Sequence, residues 1–462
     1  MSFAPASPDV RTPVAYPRRM PFDVRSRPLA AVLTLGCKLN LADSDEIADA
    51  LRLAGFDVVD HVCEADAFVV NTCSVTHVAD KKSRRLVRSV RRLAPGAAVA
   101  VTGCFPQSAG FEAVQALGAD FVGGTRDTDK AALVRFLAAR GPASAAAPAP
   151  ADGRMTRAFI KAQEGCNDVC AFCIVPRTRG REESRTPAQV AAEVARVVEE
   201  GAREVVITGT QLGAWGRDLP TPLAPHHLIA ALLERTEAPR IRFSSLQPQD
   251  ITPPLLALWG DPRLMPHFHL ALQSGSERVL SAMRRRYTAA EFRAAAARIH
   301  AMLPDAAITT DVIAGFPGES EADFASTLEL CEEVEFSRLH CFPYSQRQRT
   351  AAARMPGQLP PDVKKERMAR LLALGAELQA RFHRRFEGTT RPVLWEEHRP
   401  GHGQAGAWFG HTDNYIAVYG TGENLRSRVT PVRLGAPYAD GVWGTPPGGS
   451  NDRQSPVPAG TQ

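Results

Sequence analysis

The chain has 462 residues, of which 44% are hydrophobic and 23% charged, with a formal net charge of +5 and an isoelectric point near 8.8. This composition is that of an ordinary globular protein, so it excludes a disordered protein, a collagen and a coiled coil. At about 150 residues per domain, the length predicts roughly three domains. The mild basicity permits a nucleic-acid partner without requiring one. Since no apolar run reaches about 18 residues, we predict no membrane partner.

Nine cysteines are present, and their odd number argues against a closed disulfide framework. No apolar segment follows Arg18 and Arg19, so the N-terminus does not read as an export signal. We therefore expect a cytoplasmic protein. In that reducing compartment, clustered cysteines point to metal binding or catalysis.

Changes in composition divide the chain into six predicted segments. Proline and arginine dominate the first, while proline, alanine and glycine dominate the third, as is typical of disordered extensions and linkers. The segments are a disordered extension at 1–29, an N-terminal domain at 30–140, a linker at 141–153, a barrel with a basic helix at 154–385, a β module at 386–444 and a disordered tail at 445–462.

In the first domain, short apolar runs alternate with helical patterns, which predicts a doubly wound α/β domain with a largely parallel sheet. Cys37, Cys73 and Cys104 each directly follow one of these runs. Ligands bind at the carboxyl ends of parallel strands, so three thiols there would share one site. The alternative is three buried core thiols. The runs span 31–36, 67–72, 98–103 and 120–124, and helices are predicted at 44–53 and 80–93.

The second block alternates in the same way and contains six candidate strands. They span 158–163, 204–208, 241–246, 267–272, 308–313 and 338–343. A complete eightfold barrel takes about 250 residues. Because these six units occupy a shorter stretch, we predict a partial (β/α)6 barrel.

A third block begins with a helix rich in lysine and arginine at 361–386. Strand-like pieces follow at 392–395, 415–418 and 428–434, which predicts a small all-β module. Its aromatic side chains could stack on nucleic-acid bases, although core packing is the commoner fate of such residues. These aromatic residues are Trp395, Phe409 and Tyr415.

The strongest local pattern is CNDVCAFC at 166–173, which places Cys166, Cys170 and Cys173 on one loop. The loop follows the first barrel strand, at the rim where barrel chemistry occurs. Three thiolates leave a four-ligand site one ligand short, so the open position can take a substrate or cofactor. The alternative is a structural zinc loop that borrows a ligand such as His267 or Cys341.

A dense basic helix is predicted at 81–92, where Leu86, Val90 and Leu93 would form one buried face. Its outward lysines and arginines suit either phosphate contacts or a solvated face. The helix at 361–386 poses the same choice. The three remaining cysteines fit no ligand spacing and are predicted to be packed core thiols: Cys63, Cys331 and Cys341.

The spacing Cys-x3-Cys-x2-Cys after a first barrel strand, with Phe172 before the third cysteine, resembles the radical S-adenosylmethionine pattern. The upstream cysteine trio and further motifs make the chain similar to the methylthiotransferase family from residue 33 to about residue 432. These motifs are NTCSVT at 71–76, GC at 103–104, VPRTRG at 175–180 with SR at 184–185, LQSG at 272–275 and GFPGE at 315–319.

Three branches of that family modify isopentenyladenosine in tRNA, threonylcarbamoyladenosine in tRNA, or an aspartate of a ribosomal protein. The chain most resembles the threonylcarbamoyladenosine branch. Asp43 and Ser44 depart from that branch and resemble the others. Arg349 stands where the branch usually has glycine, which changes the backbone angles open to that loop. The branch-specific motifs are NTCSVTH at 71–77, ADKKSR at 79–84, TGTQLGAWG at 208–216 and HTDNY at 411–415.

The resemblance implies two [4Fe–4S] clusters. One, on Cys166, Cys170 and Cys173, would bind S-adenosylmethionine. The other, an auxiliary cluster on Cys37, Cys73 and Cys104, would hold the sulfur to be inserted. A radical derived from S-adenosylmethionine would remove the C2 hydrogen of the adenine, and a methylthio group would replace it.

The same resemblance implies a tRNA partner, a TRAM-like RNA-binding C-terminal module, and an electron donor and a sulfur donor of unknown identity. We expect a monomer. Positions in the cysteine loop, on the barrel strands and in the loops that follow them are predicted to contact the cofactor: Phe172, Thr208, Gly209, Thr210, Gln273, Asp311, Gly315 and Tyr344.

Our leading hypothesis is an enzyme that converts N6-threonylcarbamoyladenosine beside the anticodon of tRNA to its 2-methylthio derivative. The alternatives within the family are the isopentenyladenosine branch and the protein-modifying branch. A hypothesis of a different class is a non-catalytic iron–sulfur or zinc protein that binds RNA, which would need no open iron and no cofactor pocket.

Overall fold

The computed structural model describes residues 27–140, 156–402 and 406–446. The predicted linker and most of the two predicted disordered ends lie outside these ranges, and the six-segment division of the chain stays a prediction. Within the described ranges, no helix is both long enough and apolar enough to span a bilayer.

The N-terminal sheet has five parallel strands in the order β2-β1-β3-β4-β5. Alternate residues of β1 face opposite sides: Ala31 and Leu33 pack against the α2 side, and Ala30 and Val32 against the α1 and α5 side. Helices therefore cover both faces, which confirms the doubly wound α/β prediction. The elements are β1 (Leu29–Thr34), α1 (Lys38–Leu53), β2 (Asp57–Val59), β3 (Ala67–Thr72), α2 (His77–Leu93), β4 (Ala98–Gly103), α3 (Cys104–Ala109), α4 (Phe111–Gln115), β5 (Phe121–Val122) and α5 (Asp127–Ala138).

Two sequence expectations in this domain are wrong. Leu93 is 55% exposed, whereas Val90 is buried as predicted and Leu86 packs against the same core; Ser83 and Val87 complete the buried face of α2. Cys63 is only half-buried and lies outside the apolar cores of the described residues, whereas Cys331 is fully buried and Cys341 packs against the same core as Cys331.

The central block forms a partial barrel, as predicted. Its two four-stranded sheets, β7-β6-β8-β9 and β10-β11-β12-β13, are parallel except for the short strand β7. All six predicted strands are present, but the third is divided at Ser244 between the two sheets. Capping boxes start α7, α11 and α12.

The bounds of the central block are β6 (Arg157–Glu164), α6 (Val175–Thr178), β7 (Glu183–Ser184), α7 (Pro187–Glu199), β8 (Glu204–Gly209), α8 (Pro225–Arg235), β9 (Ile241–Phe243), β10 (Ser245–Leu246), α9 (Pro253–Ala257), β11 (His267–Leu270), α10 (Glu277–Ala282), α11 (Ala289–Met302), β12 (Ala307–Ala314), α12 (Glu321–Val334) and β13 (Arg338–Pro343). Four short 3-10 turns lie at Leu212–Ala214, Pro248–Asp250, Leu258–Gly260 and Ala352–Arg354.

A long helix leads into a closed five-stranded β-barrel, which confirms the predicted all-β module. Two of its strands, β15 and β18, were not predicted. Tyr415 does not belong to a strand as predicted, because it lies in a turn with a φ of +70°. The elements are α13 (Pro361–Arg385), β14 (Thr390–Arg399), β15 (Ala407–Thr412), β16 (Ala417–Gly420), β17 (Val429–Tyr438) and β18 (Gly441–Thr445).

The three aromatic residues considered for base stacking are engaged within the protein. Trp395 is fully buried and Phe409 is 7% exposed. The Tyr415 ring stacks between the rings of His267 and His411, with 4.5 Å between centroids on each side. Core packing is therefore the role of these rings.

A buried charge cluster joins the small β-barrel to the amino ends of the central strands. Glu204 is fully buried and accepts hydrogen bonds from Arg157 (2.7 Å), Arg240 (3.0 Å) and Arg242 (2.9 Å). Burial alone would raise the pKa of Glu204, but the three guanidinium groups hold it well below its usual range. Arg240 and Arg242 also donate to the carbonyls of Thr412 and Asp413, each at 3.1 Å.

A second buried charge cluster docks the N-terminal domain onto the barrel. Asp43 of α1 accepts hydrogen bonds from Lys161 of β6 (2.9 Å), Arg179 (3.0 Å) and Lys130 of α5 (3.0 Å). Ser44 accepts from Thr34 at 2.7 Å. Asp43 and Ser44, which we interpreted as departures from the threonylcarbamoyladenosine branch, therefore stabilise the fold.

We predict that Asp43→Asn lowers the free energy of unfolding at pH 7 by about 3 kcal/mol, because it leaves three buried cations without their shared anion. Burial would raise the pKa of Asp43, but Arg179 and the two lysines lower it overall. Its stabilising effect is therefore present above pH ~4 and lost as the pH falls further. The free energies of unfolding of the variant and the wild type should differ by a constant amount from pH 7 to pH ~4 and by a smaller amount at pH 3.

Asp45→Asn is the matched control with the opposite sign. Burial and the neighbouring Asp49 raise the pKa of Asp45 to about 7. The folded chain therefore resists ionisation of Asp45, so this variant should be more stable than the wild type above pH 7, with the gain fading toward pH ~4. Equal stability of Asp43→Asn and wild type at pH 7 would contradict a stabilising role for the cluster.

We also predict that Glu204→Gln lowers the free energy of unfolding by about 3–5 kcal/mol, because three buried arginines lose their only shared carboxylate. Thermal unfolding measures the effect. Glu200→Gln, at the residue that follows α7, removes the same charge from an exposed pair with Arg196 and should cost under about 1 kcal/mol. Similar losses of unfolding free energy in Glu204→Gln and Glu200→Gln would show that burial does not determine how much these charges contribute to stability.

Candidate active site where the two cysteine trios meet

Cys37, Cys73 and Cys104 lie together at the carboxyl edge of the N-terminal sheet, as predicted. They follow the adjacent parallel strands β1, β3 and β4, so the three chain segments leave the sheet side by side. Cys73 and Cys104 are buried, and Cys37 is exposed. We call these residues the upstream trio.

Two glycines let the upstream trio approach so closely. A Cβ added to Gly36 would lie 2.9 Å from the Cβ of Cys73. Gly103 has a φ of +97°, and its Cβ would lie 2.4 Å from the carbonyl oxygen of Thr72. A larger residue at either position would force the cysteine-bearing turns apart.

Electrostatics confirms that the three upstream thiols share one environment. Burial, together with the neighbouring thiols of Cys37 and Cys104, raises the pKa of Cys73 to about 12. Burial also raises the pKa of Cys104, although Arg179 opposes this by favouring the thiolate. Thiolates form here only when a cation replaces the protons.

Asn40 and Arg179 brace this edge. Asn40 donates to the carbonyls of Leu35 and Thr72, both at 3.0 Å, and so ties the turn after β1 to the turn after β3. Arg179, from the barrel, donates to the Asn40 side-chain oxygen at 2.9 Å. Neither residue stands out in the sequence, because a hydrogen bond between two domains leaves no local pattern.

Cys166, Cys170 and Cys173, the downstream trio, occupy the loop that follows β6. The Cys166 amide donates to Gly180 (3.1 Å) and the Cys173 amide to Cys170 (3.2 Å), which folds the loop on itself. Burial raises the pKa of Cys166 to about 11 and that of Cys173 to about 12, with neighbouring thiols adding to both.

Arg285 is a site residue that the sequence did not reveal. One of its terminal nitrogens donates to the sulfur of Cys170 at 3.2 Å, and its Nε donates to the hydroxyl of Tyr287 at 3.1 Å. Its other terminal nitrogen is buried without a hydrogen-bond partner. The residue comes from the segment after α10, about 115 positions from Cys170, so no spacing rule links the two.

The two trios meet through short helices. α6, which begins two residues after Cys173, packs against α3, which begins at Cys104. Arg179 follows α6 and bonds both to Glu164 of the barrel (2.7 Å) and to Asp43 of the N-terminal domain. The two trios therefore face one space between the domains.

The two residues considered as an extra zinc ligand, His267 and Cys341, do not lie beside the downstream trio. His267 begins β11, at the amino ends of the barrel strands, and stacks on Tyr415. Cys341 lies within β13 and packs against the core around Cys331. Among the described residues, no three His, Cys, Asp or Glu side chains converge on a point where one metal ion could bind. A cluster differs, since each thiolate binds its own iron at the cluster's edge.

The predicted cofactor residues surround the barrel rim. Phe172 and Tyr344 share one apolar cluster with Phe316. Thr208 and Gly209 end β8, and the hydroxyl of the following Thr210 is buried without a partner. Gln273, with a φ of +68°, pairs with β12, and Gly315, with a φ of +77°, follows that strand.

Asp311 lies deeper, inside the barrel. Its carboxylate is 3.3 Å from the Nε2 of His269. Burial would raise the pKa of Asp311, but His269 lowers it overall, while burial lowers the pKa of the nearby His340 to about 4. Lys38, next to Cys37, also reaches this interior, and burial lowers its pKa. Sequence reasoning missed Lys38, His269 and His340, because only the folded partial barrel with its docked N-terminal domain brings them together.

The loop after β13 is hydrogen-bonded to the N-terminal domain at the mouth of the space between the two trios. Arg347 is buried and donates to Asp80 (2.7 Å) and Ser74 (2.9 Å) of the N-terminal domain. Arg349 has a φ of +70°. This left-handed conformation favours glycine, so Arg349 strains the loop locally.

Comparison with known proteins agrees with this architecture. Residues 30–124 match the family described as Uncharacterized protein family UPF0004, and residues 160–331 match the Radical SAM superfamily. The threonylcarbamoyladenosine tRNA methylthiotransferase MtaB of Bacillus subtilis is 36% identical over 89% of this chain and 95% of its own length. The tRNA-2-methylthio-N(6)-dimethylallyladenosine synthase of Syntrophobacter fumaroxidans is 35% identical over 89% of this chain and 94% of its own.

Among solved structures, the radical S-adenosylmethionine methyltransferase TsrM of Kitasatospora setae has a TM-score of 0.51 and 14% identity, over 69% of this chain and 75% of its own. That likeness concerns the fold alone. The two family matches and the curated relatives together span most of the sequence. The chain therefore belongs to the radical S-adenosylmethionine family of tRNA methylthiotransferases.

Proposed function

We propose that this enzyme methylthiolates N6-threonylcarbamoyladenosine beside the anticodon of tRNA, with a [4Fe–4S] cluster on each cysteine trio. The observation that carries the proposal is the meeting of the two trios across the domain boundary. Methylthiolation needs a radical source and a sulfur source near the same base. Helices α3 and α6 bring one trio of thiols from each domain to one space, which supplies a place for each source.

The residues present fit the groups that the family implies. Each trio has three thiols, one fewer than a closed four-thiolate cluster site, so each leaves an open iron. The unpartnered nitrogen of Arg285 and the unpartnered hydroxyl of Thr210 are buried at the rim, where hydrogen-bonding ligands would satisfy them. When bound, the downstream cluster with S-adenosylmethionine supplies a 5′-deoxyadenosyl radical.

The chain's own residues prepare this space. Arg285 donates to the sulfur of Cys170 and favours the thiolate form of Cys173, and Arg179 favours the thiolate form of Cys104, which is the form that a cluster requires. The apolar cluster around Phe172, Phe316 and Tyr344 offers a dry surface against which an adenine can pack.

Charge supports the threonylcarbamoyl substrate over the dimethylallyl one. The relatives divide between those two activities by name at similar identity. Threonylcarbamoyl carries a carboxylate, whereas dimethylallyl is a hydrocarbon. Lys38 lies beside Cys37 and reaches the barrel interior, and no carboxylate in the described ranges forms an ion pair with it. A carboxylate on the substrate would pair with this ammonium, while a hydrocarbon would leave it buried and unpaired.

We predict about eight irons per chain after anaerobic reconstitution, because two four-iron clusters are expected. The variant with Cys37, Cys73 and Cys104 all changed to alanine should keep about four, and so should the variant that changes Cys166, Cys170 and Cys173. Iron and sulfide analysis with absorption spectroscopy measures this. The Cys331→Ala variant is the control and should keep about eight. Wild-type protein with only about four irons would contradict the auxiliary cluster.

We predict that the reconstituted enzyme, with S-adenosylmethionine, a one-electron reductant and sulfide, methylthiolates tRNA that carries threonylcarbamoyladenosine but not tRNA that carries isopentenyladenosine. Nucleoside mass spectrometry identifies the product. Lys38→Met should lower kcat/KM on the first tRNA by about tenfold or more, because one charge-assisted contact is lost.

Cleavage of S-adenosylmethionine without tRNA separates loss of substrate binding from loss of the cluster. This background activity should persist in Lys38→Met, provided that its iron content is unchanged. Methylthiolation of isopentenyladenosine instead would assign the enzyme to the other tRNA branch. Unchanged tRNA with a modified ribosomal protein would assign it to the protein-modifying branch.

A further inference from the structure

Helix α2 carries an exposed row of positive charge that nothing in the described protein neutralises. Its acidic residue, Asp80, is already bound to Arg347. Arg91 pairs with Asp120, but no ion pair with a described residue is formed by the other cations. We call these six exposed residues the α2 basic face: Lys81, Lys82, Arg84, Arg85, Arg88 and Arg92.

Helix α13 shows what a solvated basic helix looks like in the same protein. Arg370 pairs with Glu321 and Glu366, and Arg381 pairs with Glu377. Arg367 is buried against Glu319 at 2.6 Å. Three of the seven lysines and arginines of α13 thus form ion pairs with described residues, whereas only Arg91 does so among the seven of α2. The structure therefore distinguishes two helices that the sequence left equivalent.

The α2 basic face starts at the mouth of the space between the trios. The backbone amide of His77, the first residue of α2, donates to Ser345 at 3.1 Å, in the loop that follows Tyr344. The far end of the helix lies near the amino edge of the sheet, where Arg91 donates to the carbonyl of Ala97. The α2 basic face runs from Lys81 to Arg92, twelve residues that at about 1.5 Å each span about 17 Å.

We propose that the α2 basic face binds the phosphate backbone of the tRNA stem that leads away from the modified base. The inference rests on the proposed function, because it takes tRNA as the substrate. A row of about 17 Å can contact consecutive phosphates of one strand. An open groove beside the helix, lined by its arginines and by Leu117, leaves room for a backbone strand.

An acidic electron-transfer protein is the other macromolecule that could recognise such a face. The geometry favours RNA. An electron donor must approach the downstream trio, but the α2 basic face runs from the upstream trio toward the opposite edge of the N-terminal sheet. Phosphate recognition also favours arginine, which provides four of the six cations.

The test compares two variants that each remove three positive charges. The first changes Arg85, Arg88 and Arg92 to glutamine, and the second changes Lys365, Arg370 and Arg381 of α13 to glutamine. Fluorescence anisotropy with a labelled tRNA transcript measures Kd between 50 and 200 mM salt. The α2 variant should bind about tenfold or more weakly, and its slope of log K against log salt should fall by about 2–3. The α13 variant should match the wild type.

Unfolding temperature, iron content and cleavage of S-adenosylmethionine without tRNA should be unchanged in both variants. If the triple α2 variant fails to fold, Arg88→Gln alone should reduce the slope by about one.

Three outcomes overturn the proposal. The α2 variant binds tRNA like the wild type, or the α2 and α13 variants lose equal affinity for tRNA. In the third, the α2 variant keeps tRNA binding but is no longer reduced by an acidic flavodoxin. Wild-type enzyme that binds the transcript but forms no 2-methylthio nucleoside on modified tRNA would contradict the proposed function alone and leave this inference standing.

Discussion

The buried ionic contact between Asp43 and Arg179 is the constraint on which the site depends. Each cysteine trio is built by its own domain, and neither domain contains the other trio. Asp43 accepts from Arg179, Lys161 and Lys130, while Arg179 also binds Glu164 and approaches Cys104. Buried charges are stable only when all partners are in place. The same bonds therefore dock the domains and set the relative position of the trios.

The chemistry of the thiols follows from this docking. Burial keeps Cys73, Cys104 and Cys173 protonated in the metal-free protein. Cluster binding must displace those protons, and a cation beside each trio, Arg179 or Arg285, reduces the cost of doing so. The positive charge that helps assemble the site thus comes from residues that are distant in sequence from the thiols they serve.

The charges at the two ends of the barrel serve different purposes. At the amino ends of the strands, Glu204 pairs with buried arginines and Tyr415 stacks on His411. These contacts join the partial barrel to the C-terminal module. At the carboxyl ends, unpartnered polar atoms of Thr210 and Arg285 remain. Paired charges at the amino ends stabilise the fold, whereas the unsatisfied groups at the carboxyl ends are suited to bind ligands.

The sequence by itself determined the three-part architecture, the six barrel strands and the six cysteines that we place at the site, because alternating hydrophobicity and short cysteine spacings are local properties. It could not identify Arg179, Arg285 or Lys38 as site residues, since their partners lie on other elements. Only the tertiary structure decided that more of the cations of α13 than of α2 are paired, and that the Tyr415 ring stacks between two histidine rings of the protein. Pairing and burial depend on which surfaces meet, and that is settled when the domains dock.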